Sequence, residues 1–189
     1  MPSADFNEPS TRSRSLNWLI ARALFYPTLG WNLLCSRLNP RRHWWNHVDA
    51  NLIVGALPLA SHVPGLKTAG VTGVLNMCEE YAGPLNAYAA AGIEQLRLPT
   101  IDFTPPELAD IRRGVEFIDA HAQRGGRVYV HCKAGRARSA TVALCWLVKA
   151  RGLSLEAAQA KLLEARPQIY KWVYQRKVVK EYCGTAQRT

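Results

Sequence analysis

One stretch limits the architecture of this chain more than any other: Val128-Tyr-Val-His131-Cys132-Lys133-Ala134-Gly135-Arg136-Ala137-Arg138-Ser139, followed at once by an apolar run. Val128–His131 reads as a short β-strand, and a loop containing Gly135 hands it to a helix expected over Ser139–Lys149. Val142, Ala143, Leu144, Trp146, Leu147 and Val148 make that helix apolar all round, so it must be covered on every side. A strand feeding a fully covered helix calls for a layered α/β arrangement. Of the 189 residues, 48% are hydrophobic and 20% charged, which suits one core of that kind, and the length is too short for two full domains.

The rest of the pattern agrees. Short β-like runs at Leu52–Val54, Val71–Asn76 and Ile93–Leu98 alternate with helical segments at Val63–Ala69 and Leu85–Ala91, which Gly70 and Gly92 close. A longer helix is expected over Pro105–Gln123, with Pro in its first turn and Glu107 and Asp110 near its positive end. Ser154 can N-cap a helix running to Glu164, and Trp172–Tyr182 reads as a terminal helix. The expected fold is α/β, a single domain over residues 47–189 whose central, mostly parallel sheet is flanked by helices. An amphipathic helical extension, residues 1–46, precedes it.

Charge points to the kind of partner. Twenty-four Lys and Arg against 14 Asp and Glu leave +10, which favours an anion: nucleic acid, an acidic membrane surface or a phosphorylated substrate. The cations fall in three one-signed clusters: Arg12 to Arg42, Arg124 to Arg151, and Arg166 to Lys180. No nucleic-acid reader motif accompanies them, so no nucleic-acid partner is expected. The first cluster is laced with Trp18, Trp31, Trp44 and Trp45, a mixture suited to a membrane interface. Residues 16–38 are apolar but broken by Asn17, Arg22, Pro27, Gly30 and Asn32, well short of the roughly 18–20 clean residues a span requires. The first 45 residues are therefore read as an interfacial helix pair hinged near Pro27, or as a helical cap on the domain, and both can hold at once. Five cysteines without paired spacing argue for a reducing compartment, and no Cys or His pair has zinc-ligand spacing, so neither metal nor cofactor is expected.

The loop carries the chemistry. Backbone N–H groups of a Gly-containing turn ahead of a helix N-terminus form an anion cradle. Cys132 opens the loop and Arg138 closes it, so both can face one bound phosphate, and a guanidinium matches two phosphate oxygens at once. Lys133, Ala134, Gly135, Arg136 and Ala137 complete the phosphate-binding turn. Such an electropositive site lowers a thiol's pKa, which makes Cys132 a nucleophile for phosphorus. Ser139 can donate a hydrogen bond to the sulfur and assist its departure. His131 is expected to orient the loop by hydrogen bonding, since an ionised thiol needs no base.

His131-Cys132, five further residues, then Arg138-Ser139 resembles the signature of the cysteine-dependent protein-tyrosine and dual-specificity phosphatase superfamily. Other similar stretches are Leu24-Phe-Tyr-Pro-Thr-Leu29, Gly55-Ala-Leu-Pro-Leu59, Glu79-Glu80-Tyr81 and Gly92-Ile-Glu-Gln-Leu-Arg97. Together they are similar to the mitochondrial-type phosphatases that act on phosphatidylglycerophosphate in cardiolipin synthesis. The resemblance implies a movable loop bearing an Asp general acid. The matching segment is Leu98-Pro-Thr-Ile-Asp102-Phe-Thr-Pro-Pro106, although the Trp-Pro-Asp triplet of many tyrosine phosphatases is absent. Asp110 and Asp119 read as exposed helical charges. Glu79 and Glu80, in the family's Glu-Glu-Tyr loop, are expected to brace Arg138 or the loop backbone.

Lys133 and Arg136 add two cations beside Arg138, more than one phosphomonoester needs, which favours a substrate with a second phosphate or an acidic headgroup. The expectation is a lipid monoester phosphatase at a membrane surface. It would lie on the matrix side of the mitochondrial inner membrane in a eukaryote, or on the cytoplasmic face of the membrane in a bacterium. A dual-specificity protein phosphatase, a phosphoinositide phosphatase and an inactive phosphate-binding adaptor are the alternatives.

Overall fold

The structure, a computed structural model, describes residues 43–186 together with Pro27 and Gly30. The helix pair expected over the first 45 residues lies, but for its last few positions, outside the described residues.

Five strands form one sheet: β1 (Trp45–Asp49), β2 (Leu52–Gly55), β3 (Val71–Cys78), β4 (Glu94–Thr100) and β5 (Arg127–His131), in the order β1-β2-β5-β3-β4. Only β1 runs antiparallel to its neighbour; β2, β5, β3 and β4 are mutually parallel. Among the described residues the helices are α1 (Val63–Thr68), α2 (Leu85–Ala91), α3 (Leu108–Gln123), α4 (Arg138–Arg151), α5 (Leu155–Ala165) and α6 (Lys177–Ala186). Alternation along the strands assigns the two faces of the sheet. Val128 and Val130 of β5 join the core that α3 and α4 cover, whereas Tyr129 points to the other face, among Val63, Leu66 and Tyr88 of α1 and α2. Helix α4 is buried from Arg138 to Leu147, as its apolar circumference requires. It ends at Gly152, whose φ of 63° is left-handed.

Beyond shifts of a residue or two at element ends, the structure differs from expectation at α3, at the terminal helix and at β1. Helix α3 starts at Leu108 rather than Pro105, because Pro106 holds the residue before it out of the helical region. The expected terminal helix is split into a 3₁₀ turn, Val173–Gln175, and α6. The break is at Arg176, which adopts ψ 134° and sends its guanidinium to Thr141 Oγ1 at 2.8 Å. Strand β1 is an addition to the expected elements. Trp44 and Trp45, assigned from the sequence to the interfacial extension, are tied to the domain: Trp45 opens β1 and meets Tyr129 edge-on, and Trp44 Nε1 donates to the Leu57 carbonyl at 2.9 Å. Pro99, which has no N–H to give, is tolerated in β4 because that strand lies at the edge.

Candidate active site

Loop 132–138 leaves the carboxyl end of β5, between β2 and β3, where a parallel sheet offers its ligand crevice. Gly135 is there by necessity. Its φ is +64°, and a Cβ would stand 2.3 Å from the Gly55 carbonyl oxygen. Two buried arginines fix the loop from opposite sides. Arg166 donates from Nε to the Gly135 carbonyl (2.9 Å) and from Nη2 to the Ala134 carbonyl (3.1 Å), and its Nη1 reaches Asn46 Oδ1 of β1 (2.7 Å). With those carbonyls drawn toward Arg166, the loop's N–H groups are left for the opposite side.

Arg138 is only 2% exposed. Its two terminal nitrogens grip Glu80 as a fork, at 2.9 and 2.7 Å, and Nη1 also donates to the Thr100 carbonyl at 2.7 Å. Its Nε–H meets no acceptor. Glu80 is held in turn by a turn built on buried Asn76, whose side chain accepts from the Cys78 N–H and donates to the Tyr81 carbonyl, both at 2.8 Å. Tyr81 Oη then donates to the Pro58 carbonyl at 2.6 Å. Of the expected pair, Glu80 therefore braces Arg138, while Glu79 offers its backbone carbonyl to Arg97 at 2.7 Å.

Cys132 Sγ lies 3.4 Å from Ser139 Oγ. Burial alone would push this thiol up, but the Arg138 charge, the Ser139 hydroxyl and the backbone N–H groups of Ser139 and Arg136 outweigh it. The net effect holds Cys132 below its ordinary range. His131 precedes the nucleophile at the end of β5. It is buried, stacks on Tyr129 and lies edge-on to Tyr81, and neither ring nitrogen makes a hydrogen bond of ordinary geometry. Burial pushes it down to about 3, so it is neutral at pH 7, although a contact with the Cys132 backbone, the side on which a loop-orienting hydrogen bond is expected, works the other way.

Asp102 stands across from the thiol's cradle. Its carboxylate pairs with Lys133 Nζ at 2.8 Å and Arg138 Nη2 at 3.0 Å. The turn that carries it is tight: Thr104 donates back to the Ile101 carbonyl from both N–H (3.2 Å) and Oγ1 (2.7 Å), and Phe103 sits at φ 66°. Asp110 and Asp119 are engaged elsewhere, with Arg113 and with Trp146 and Lys149 respectively.

The basic clusters divide by use. Arg151 pairs with Asp49, Lys149 with Asp119, and Arg127 donates to the Ala50 and Ala69 carbonyls, so these cations serve the fold. Arg136 turns its exposed side chain to the Gln168 carbonyl at 3.0 Å and contributes to the cradle through its N–H, not as the second phosphate-facing cation expected. Lys133 is the cation that joins Arg138 there. Arg166 is the loop-holding residue the sequence does not single out; there it is one more charge in a basic run. Among the described residues no three His, Cys, Asp or Glu side chains converge on a metal-sized site. Nor is any described helix long and apolar enough to cross a membrane.

A buried, acidified thiol in an N–H cradle, a clamped guanidinium and a carboxylate opposite are the parts that in-line phosphoryl transfer through a cysteine needs. Comparison with known proteins agrees. Residues 52–183 match the dual specificity phosphatase catalytic domain. The chain is 42% identical over 164 residues to phosphatidylglycerophosphate phosphatase PTPMT2 of Arabidopsis thaliana, covering 85% of this chain and 72% of that protein. It is 38% identical over 177 residues to phosphatidylglycerophosphatase and protein-tyrosine phosphatase 1 of Rattus norvegicus, covering 87% of this chain and 92% of the relative. Its fold is similar to the crystal structure of PTPMT1 in complex with PI(5)P, with a TM-score of 0.70 and 34% identity over 77% of this chain and 98% of that one.

Proposed function

The chain belongs to the dual specificity phosphatase family and is a cysteine-dependent phosphatase, and from that premise we propose that it hydrolyses the terminal monoester of phosphatidylglycerophosphate at a membrane surface. The observation that carries this reading is the ion triad: Asp102 is held between Lys133 and Arg138, at 2.8 and 3.0 Å, over the cradle of Cys132. Two cations in one crevice suit a headgroup that brings a phosphodiester close to its monoester. The names of the relatives support the same class of lipid.

The steps follow from the residues. The Cys132 thiolate attacks phosphorus in line, forming an S–P bond as the P–O bond to the glycerol breaks. Arg138 and the loop N–H groups hold the equatorial oxygens, whose charge they neutralise without reorganising. The entering phosphate competes with Asp102 for Lys133 and Arg138, freeing that carboxyl to face the leaving oxygen. Asp102 gives a proton to the departing alkoxide, then takes one from the water that attacks the cysteinyl phosphate. The S–P bond breaks, the thiolate returns and Ser139 donates to it. No cofactor enters the sequence. The extension and domain together would work on the matrix side of a mitochondrial inner membrane, or on the cytoplasmic face of a bacterial one.

A substrate panel tests the reading. Turnover on phosphatidylglycerophosphate in mixed micelles is expected to exceed turnover on a phosphotyrosine peptide and on a phosphoinositide, and to vanish in Cys132→Ser. A preference for the peptide would establish the protein-phosphatase alternative instead.

A further inference from the structure

The large apolar side chains that stay exposed among the described residues are Leu59, Leu85, Phe103, Tyr170 and Trp172. They are not scattered. Strands β2, β5, β3 and β4 run parallel, so the segments leaving their carboxyl ends emerge along one edge of the sheet. Leu59 follows β2, Leu85 follows β3, Phe103 follows β4, and the Cys132 loop follows β5. Tyr170 is tied to this edge because its N–H donates to the Arg136 carbonyl at 2.9 Å, and Trp172 stands two residues on. The Phe103 ring lies 5.9 Å from Lys133 Nζ, and one open cleft is lined by both Ala60 and Leu85. The turns at the opposite edge, around Ala50, Gly70, Gly92 and Gly125, carry no exposed large apolar side chain. Single exposed apolar residues are ordinary, but a ring of them around one mouth marks an interaction surface.

What surrounds the ring identifies the partner. Exposed Arg97, Arg136 and Lys171 share this edge with Glu79 and Glu107, while Glu80 and Asp102, also at this edge, are taken up by ion pairs with Arg138 and Lys133. Phe103 is 66% exposed and Trp172 51%, and aromatic rings among cations fit the headgroup layer of an anionic bilayer. A phosphomonoester borne by a lipid cannot leave that layer, so a site acting on one must bring its mouth down to it.

We propose that the carboxyl edge of the sheet is itself a membrane-docking face, with Phe103, Trp172 and Leu85 entering the headgroup layer of an anionic phospholipid bilayer and the Cys132 loop turned toward the lipid. This places a docking surface on the catalytic domain in addition to whatever the first 45 residues supply. It rests on the lipid-monoester reading and fixes the orientation in which that chemistry takes place.

The test uses the full chain with vesicles of phosphatidylcholine alone and of phosphatidylcholine mixed with phosphatidylglycerol. Two acids placed in the face, in the double variant Leu85→Asp/Trp172→Asp, should weaken sedimentation with the anionic vesicles about tenfold or more. Turnover of p-nitrophenyl phosphate in solution should stay within about twofold, since neither residue belongs to the 132–138 loop or to the Asp102 turn. Wild-type affinity for anionic vesicles in the double variant overturns the proposal, as does equal binding of wild type to both vesicles. Should the variant lose soluble turnover, hydrogen exchange of wild type on anionic vesicles decides: new protection over 58–62, 101–105 and 170–172 supports the face, and protection confined to residues 1–44 overturns it. Phosphatidylglycerophosphate in the same vesicles separates this inference from the substrate reading. Docking through the face with a preference for phosphopeptide would sink the substrate and leave the face standing; rapid lipid turnover with undiminished binding by the double variant would do the reverse.

Discussion

The floor and the wall of the site are built differently. The floor, residues 132–138, is fixed from both sides: Arg166 draws out the Ala134 and Gly135 carbonyls, Glu80 grips Arg138, and Gly135 packs on Gly55 with no room for a side chain. The wall, residues 101–104, is a four-residue turn held by its own hydrogen bonds and by the ion pairs of Asp102, with Phe103 in a left-handed conformation and mostly in solvent. A nucleophile must be ionised before the substrate arrives, so its surroundings are built in advance. An acid must give and take a proton within one turnover, so its contacts have to be exchangeable. Lys133 and Arg138 hold Asp102 in the structure, and under the proposed mechanism a phosphate would take them over.

Removing the nucleophile should produce the largest effect. Cys132→Ser should lower kcat on any phosphomonoester on the order of 10⁵-fold while leaving phosphate or tungstate affinity in place, as isothermal titration can show. Activity near wild type in that variant would mean the floor is not where the chemistry occurs.

The wall comes next. Asp102→Asn should slow turnover about 10²- to 10⁴-fold for an alkyl phosphate, whose leaving oxygen needs a proton. It should slow p-nitrophenyl phosphate much less, because that leaving group departs unaided. An equal loss on both substrates would assign Asp102 to binding rather than to proton transfer.

The smallest effect sharpens the idea of a prebuilt floor. Arg166→Met leaves two loop carbonyls and Asn46 without their donor, which should cost about 2–4 kcal/mol of stability by thermal melting. It should also move the pH dependence of Cys132 alkylation by iodoacetamide. In wild type the thiol sits below its ordinary range, so alkylation persists as pH falls beneath the free-cysteine value of about 8.5. In the variant the N–H groups of Arg136 and Ser139 lose their aim, and the midpoint should rise. A variant that melts earlier yet keeps the wild-type alkylation profile would make Arg166 a scaffold residue only.

How much of this is legible in the sequence depends on distance along the chain. Strand β5, the cradle, the helix behind it and Cys132 beside Arg138 all lie within one short segment, where period, Gly placement and residue type report directly on geometry. Asp102 and Glu80 come only through resemblance, because nothing in their own neighbourhoods shows that Arg138 reaches both. Strand β1 escapes a sequence reading because Trp44 and Trp45, next to a basic run, read equally well as interface residues. Only the pairing of Trp45 with β2 and Tyr129, and the bond from Trp44 to the Leu57 carbonyl, tie them to the domain. What the motif does not show for His131 is its state: burial and stacking on Tyr129 keep the ring neutral.

The sequence alone determined a layered α/β domain and a phosphate-binding turn with a thiol at its mouth, since backbone propensity and the spacing of one motif are short-range properties. The tertiary structure decided which charges serve the fold and which serve the site. Arg127, Lys149 and Arg151 went to structural partners, while Lys133, Arg138 and Arg166 converge on one loop. All six are equivalent as charges in a row of letters; what separates them is which carbonyl or carboxylate the folded chain brings within reach.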